Sequence, residues 1–185
     1  MTNFTLFPML VWLSALLPTS QQTTPAPATL EWQPNRPLTW TDFQARPTLP
    51  AELAALTSAN LDVRVNCVNY QVTTTVRAVF TPSESWVRNA SKAKPELLRH
   101  EQIHFDLTEL HARRVRQKIT LAKFNCDRLQ PALNNFTRIA FNDWRREEAR
   151  YDMETNHGLN AAKQLAWEQN VQQRLQELSA FAAAN

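Results

Sequence analysis

The stretch Leu98-Arg99-His100-Glu101-Gln102-Ile103-His104-Phe105-Asp106 sets two histidines four residues apart, with a glutamate directly after the first. On an α-helix, residues four apart lie one above the other on the same face, so both imidazoles can aim at a single ion. Glu101 projects about 100° away around the axis. From there a carboxylate can reach a water on the ion without being a ligand itself, which is the placement of a general base. Zinc suits the pair, since it takes histidine nitrogen at about 2.0–2.1 Å. A random chain of this length would carry H-E-x-x-H in roughly one case in two hundred, so chance is the weaker explanation.

The surroundings of the motif predict a helix. Pro95 and Glu96 suit a first helical turn, and Leu107, Leu110, Val115 and Ile119, with Ile103 and Ala122 beside them, form an apolar stripe that carries the helix to about Phe124. Upstream the period changes to two. Leu61, Val63, Val65 and Cys67 alternate with polar residues, and so do Tyr70, Val72, Thr74, Val76, Ala78 and Phe80, which predicts a hairpin turning near Val68-Asn69. Leu30 to Trp32 and Leu38 to Trp40 are shorter strand candidates between prolines. Downstream, helical patterns run from near Asn135 past Arg150 and from about Leu159 to Ala184. An antiparallel sheet followed by a long motif-bearing helix and C-terminal helices reads as an α+β, zincin-like single domain.

The chain of 185 residues has room for one such domain. Its 20 basic and 17 acidic residues are spread along the sequence, a balance that does not point to a nucleic-acid partner. The apolar run Leu6 to Leu17 is short for a membrane span and of the length of a signal-peptide core, although no Lys or Arg precedes it. Residues 1–28 are therefore expected to be an export signal and a Gln/Thr/Pro-rich linker, with the domain over 29–185 and no membrane span in the mature chain. A retained N-terminal anchor is the alternative. In an exported chain Cys67 and Cys126 can close one disulfide; two buried free thiols fit the same count.

Two histidines leave a zinc site incomplete, and a catalytic one needs a third protein ligand with a position free for water. His111 lies seven residues beyond His104, roughly 10 Å along the axis, and reads as a surface or supporting histidine. Glu109 lies well around the helix and is set aside. The segment Tyr151-Asp152-Met153-Glu154-Thr155-Asn156-His157-Gly158 gathers the remaining candidates. His157 is expected as the third ligand. Asp152 or Glu154 is expected to accept the free N–H of a ligating histidine, and Tyr151 to donate to a tetrahedral intermediate. Gly158 is the single glycine of the chain, and beside His157 it would permit a sharp turn or a close backbone approach. If it only ends a helix, Glu154 or Asp152 would ligate zinc instead.

His100 to Glu109, Tyr151 to Gly158 and the entry segment Leu38 to Phe43 resemble the bacterial domain of unknown function 922, a family described as predicted secreted zinc-dependent proteases. The resemblance covers roughly Leu30 to Trp167 and implies that His100, Glu101, His104 and His157 occupy its motif positions. Together these readings lead us to expect an exported zinc metallopeptidase acting on a peptide or protein substrate. Glu101 would serve as general base, and the peptide would add as a strand to the edge of the Leu61 to Phe80 hairpin. The competing expectations are a non-catalytic envelope protein that binds metal or a partner, and a zinc hydrolase of a non-peptide amide.

Overall fold

Alternation in the sequence becomes a ten-residue hairpin in the computed structural model, which describes residues 28–47, 53–122 and 124–183. The segment 1–27, which includes nearly all of the expected signal and linker, lies outside the described residues. Strand β3 covers Ala59–Val68 and β4 covers Gln71–Phe80, while β1 (Leu30–Glu31), β2 (Ala55–Leu56) and β5 (Trp86–Val87) are two residues each. Val68 faces Gln71 across the hairpin, leaving Asn69 and Tyr70 as a two-residue loop with φ of 51° and 61°. Two successive positive φ values match the type I′ turn, whose twist suits flanking antiparallel strands. β1 pairs with the other side of β4, so β4 is central, and β2 pairs with β5 in a separate small sheet.

Helix α1 spans Pro95–Ala122, α2 spans Leu129–Thr155 and α3 spans Ala161–Glu177. Burial divides the surface of α1 between two apolar neighbours. Phe105, Ala112 and Val115 pack with Leu61, Val76, Ala78 and Phe80 of the hairpin, while Ile103, Leu107 and Leu110 pack with Tyr151, Trp167, Val171 and Leu175 of α2 and α3. The buried Glu109 of α1 is paired, accepting from Arg113 at 2.9 Å and from Arg116 at 3.0 Å. A disulfide joins Cys67 near the hairpin tip to Cys126 just before α2. Closing a loop across 59 residues of separation contributes about 4 kcal/mol in the chain-entropy account.

The architecture is α+β in the expected order, with three local differences. Leu38 to Trp40 is not a strand. Trp40–Asp42 forms a 3₁₀ turn, because the Asp42 carboxylate accepts from the Thr39 amide at 2.8 Å and from Arg36 at 2.7 Å and so fixes a helical turn. Helix α2 starts at Leu129, earlier than Asn135, since Pro131 falls in its first turn, where an amide donor is not needed. Helix α3 stops at Glu177, short of Ala184, and a 3₁₀ turn Ser179–Phe181 follows. Among the described residues no helix is long and apolar enough to cross a membrane.

Candidate metal centre

Four-residue spacing on α1 brings the rings of His100 and His104 to 4.9 Å between centroids, nearly perpendicular to each other. Each ring is held through Nδ1. His100 Nδ1 donates to the Gln164 side-chain oxygen of α3 at 3.2 Å, and His104 Nδ1 donates to the Glu148 carboxylate of α2. Tyr151 stacks on His100 at 4.7 Å and meets the edge of His104 at 5.0 Å, which locks both rotamers.

With the Nδ1 atoms engaged, both Nε2 atoms are aimed at one point. Asp152 Oδ1 lies there, 3.2 Å from His100 Nε2 and 3.0 Å from His104 Nε2. His157 Nδ1 stands 3.6 Å from the same oxygen. His100, Asp152 and His157 each offer a ligand atom, all within 4.8 Å of one another. Ligand atoms around a tetrahedral zinc at about 2.0–2.1 Å stand about 3.4 Å apart, so the separations from Asp152 Oδ1 are those of ligands sharing an ion. The donor set, imidazole nitrogen with carboxylate oxygen, suits zinc as well.

Electrostatics runs in the same direction. Burial pushes the Asp152 carboxyl up, and the bonds from His100 and His104 more than reverse this, leaving it well below the usual carboxylate range. Burial also opposes charge on His104, yet Glu148 and Asp152 hold its imidazole well above the ordinary histidine value. Two carboxylates thus create a place for positive charge at His104 Nε2.

The approach to this point is shaped by the end of α2. Asn156, His157 and Gly158 take φ of 49°, 52° and 80°, three left-handed residues in succession that stop the helix and turn His157 back toward Asp152. A side chain at Gly158 would place its Cβ 3.0 Å from His100 Cβ and 3.1 Å from its Cγ. The glycine is needed because the backbone passes against the His100 ring.

Glu101 is buried beside the histidines, its Oε2 accepting from the Thr57 hydroxyl at 2.7 Å. His100, Glu101, His104, Glu148, Asp152 and His157 all line one cleft of about 860 Å³. The other candidates lie elsewhere. The Tyr151 hydroxyl, expected to face an intermediate, donates instead to Gln164 at 2.9 Å and lies 3.2 Å from the His100 carbonyl oxygen. Glu154 accepts from the Trp167 indole at 2.9 Å, on another face of α2, and is absent from the cleft lining. His111 is buried, not on the surface, and pairs with Glu147 at 2.8 Å. Burial would raise the Glu147 carboxyl, but His111 and Arg174 hold it well below the usual range. The hairpin reaches the cleft only through Ala59, whereas Leu53 to Thr57, including β2, line it.

Glu148, Gln164 and Thr57 are additions to the sequence reading. Glu148 had a signal, being one helical turn before Asp152 and on the same face; Gln164 and Thr57 had none. Replacing Gln164 with Leu should lower zinc affinity roughly 10–100-fold, the range for a residue that orients a ligating histidine. Competition against a chelating dye measures it, and unchanged affinity would remove Gln164 from that role.

Residues 13–158 match the family model described as "Bacterial protein of unknown function (DUF922)", a span that begins before the described residues and ends on Gly158. No curated protein and no solved structure matches the chain.

Proposed function

This chain belongs to that bacterial family of unknown function, and we propose that it is an exported zinc-dependent peptidase. The observation that carries the reading is the convergence of His100 Nε2, His104 Nε2 and Asp152 Oδ1 beside a buried Glu101. His100, His104 and Asp152 would hold the ion. His157 is half exposed at the end of α2, its Nδ1 3.6 Å from Asp152 Oδ1, and would donate to an oxygen of the substrate. Zinc bound here supplies a polarising charge for a carbonyl oxygen and for a water.

Glu101 takes the proton of the attacking water and passes it to the leaving nitrogen. The Thr57 hydroxyl holds one oxygen of that carboxylate and leaves the other for the transfer. Gln164 and Glu148 keep both Nδ1 atoms protonated, so that both Nε2 lone pairs face the ion. A structural zinc would be favoured if His157 closed the fourth position, but such a site has no use for Glu101. Export is supported by the apolar run at Leu6 to Leu17 and by the Cys67–Cys126 disulfide, since such bonds persist in oxidising compartments.

The test is a purified chain offered a mixed peptide library, with zinc per chain measured alongside. One zinc per chain and hydrolysis that stops with a chelator and returns with zinc are expected. Zinc without hydrolysis would leave a metal-binding protein, and neither zinc nor hydrolysis would end the proposal.

A further inference from the structure

We propose that the cleft recognises peptides in which an apolar side chain is flanked by an acidic one. The inference rests on the peptidase reading and names its substrate class. Leu53, Leu56, Leu97 and Leu159 line the cleft, and Leu159 is 80% exposed and Leu56 38% exposed. Apolar side chains left open to water around a reaction centre gain from covering by an apolar group of the substrate.

The charged residues of the same lining fall into two sets. Glu101, Glu148 and Asp152 are each engaged by Thr57, His104 or the histidine pair. Lys92, Lys94 and Arg145 are exposed, and among the described residues none of them has an ion-pair partner. The acid among the exposed lining residues, Glu96, is held by Arg99 at 3.3 Å. The exposed charge of the lining is therefore three cations against one carboxylate, while the other acids sit inward at the centre. A rim with an excess of one sign of exposed charge concentrates ligands of the other sign. Lys92 and Lys94 come from the segment before α1 and Arg145 from α2, so two separate elements present the cations.

The test uses the zinc-loaded Glu101→Gln chain, which keeps the cleft but should not consume its ligand. Matched octapeptides with a central Leu, acetylated and amidated at their ends, carry Glu, Gln or Lys beside that Leu. Calorimetry should find the Glu peptide bound roughly tenfold tighter than the Lys peptide, with the Gln peptide between them. The difference should shrink at high salt and vanish in a Lys92→Gln, Lys94→Gln, Arg145→Gln variant whose circular dichroism is unchanged. Equal affinities, no binding by any peptide, or a difference that survives in the triple variant would overturn the proposal. So would a preference carried only by a free C-terminal carboxylate. The two readings separate cleanly: charge-selective binding with no hydrolysis by the unsubstituted chain sinks the peptidase and keeps the recognition, and unselective hydrolysis does the reverse.

Discussion

Glu101→Gln should lower the rate of peptide hydrolysis by about three orders of magnitude while zinc content and fold stay unchanged. The amide keeps the shape of the carboxylate, and its oxygen can still accept the 2.7 Å bond from Thr57. What it loses is the lone pair that takes a proton at neutral pH, and positioned acid–base groups contribute about 10²–10⁴ in rate. Glu101 is not among the atoms that converge on Asp152 Oδ1, so the ion does not depend on it. Measuring kcat beside zinc per chain separates the two effects. Activity within a few-fold of the unsubstituted chain would remove Glu101 from proton transfer.

Asp152→Ala should cost more zinc affinity than His157→Ala, and the contrast decides which of them is the third ligand. Asp152 Oδ1 lies 3.0 and 3.2 Å from the two Nε2 atoms, whereas the Nδ1 of His157 stands 3.6 Å from that oxygen on a side chain that is half exposed. Loss of a ligand should exceed the roughly 10–100-fold that a supporting partner carries. We expect more than about 100-fold for Asp152→Ala and less than about tenfold for His157→Ala. His157→Ala should instead reduce kcat, through the hydrogen bond it offers to substrate. The opposite order in zinc affinity would make His157 the ligand, as the sequence leads one to expect, with Asp152 orienting it.

The parts of this arrangement that were legible in the sequence are those set by local period. Alternation over Leu61 to Phe80 produced the hairpin, and the two residues between Val68 and Gln71 fixed its register. Pro95 and the histidine spacing placed α1 and the face it turns to the cleft. Reading Tyr151 to His157 as one cluster gave proximity without direction. At about 100° per residue, Asp152 and Glu154 point about 160° apart, so both could not serve one centre; Glu148 and Asp152, about 40° apart, could. That geometry sends Tyr151 inward against His100, Asp152 into the cleft and Glu154 toward Trp167.

Gln164 is a different case. It meets His100 across 64 residues of sequence through the packing of α3, and no local pattern announces such a contact. Trp40–Asp42 departs from the expected strand for a related reason, because alternation over three residues is too short to outweigh an aspartate able to bond the Thr39 amide behind it. The Cys67–Cys126 link likewise depends on the hairpin tip reaching the start of α2, which the count of two cysteines left open.

Anomalous diffraction at the zinc edge from crystals of the zinc-loaded chain tests the central claim most directly. A single peak about 2.0–2.2 Å from His100 Nε2, His104 Nε2 and an Asp152 carboxylate oxygen is the expected result. A peak away from His100 and His104, or none at all, would contradict it.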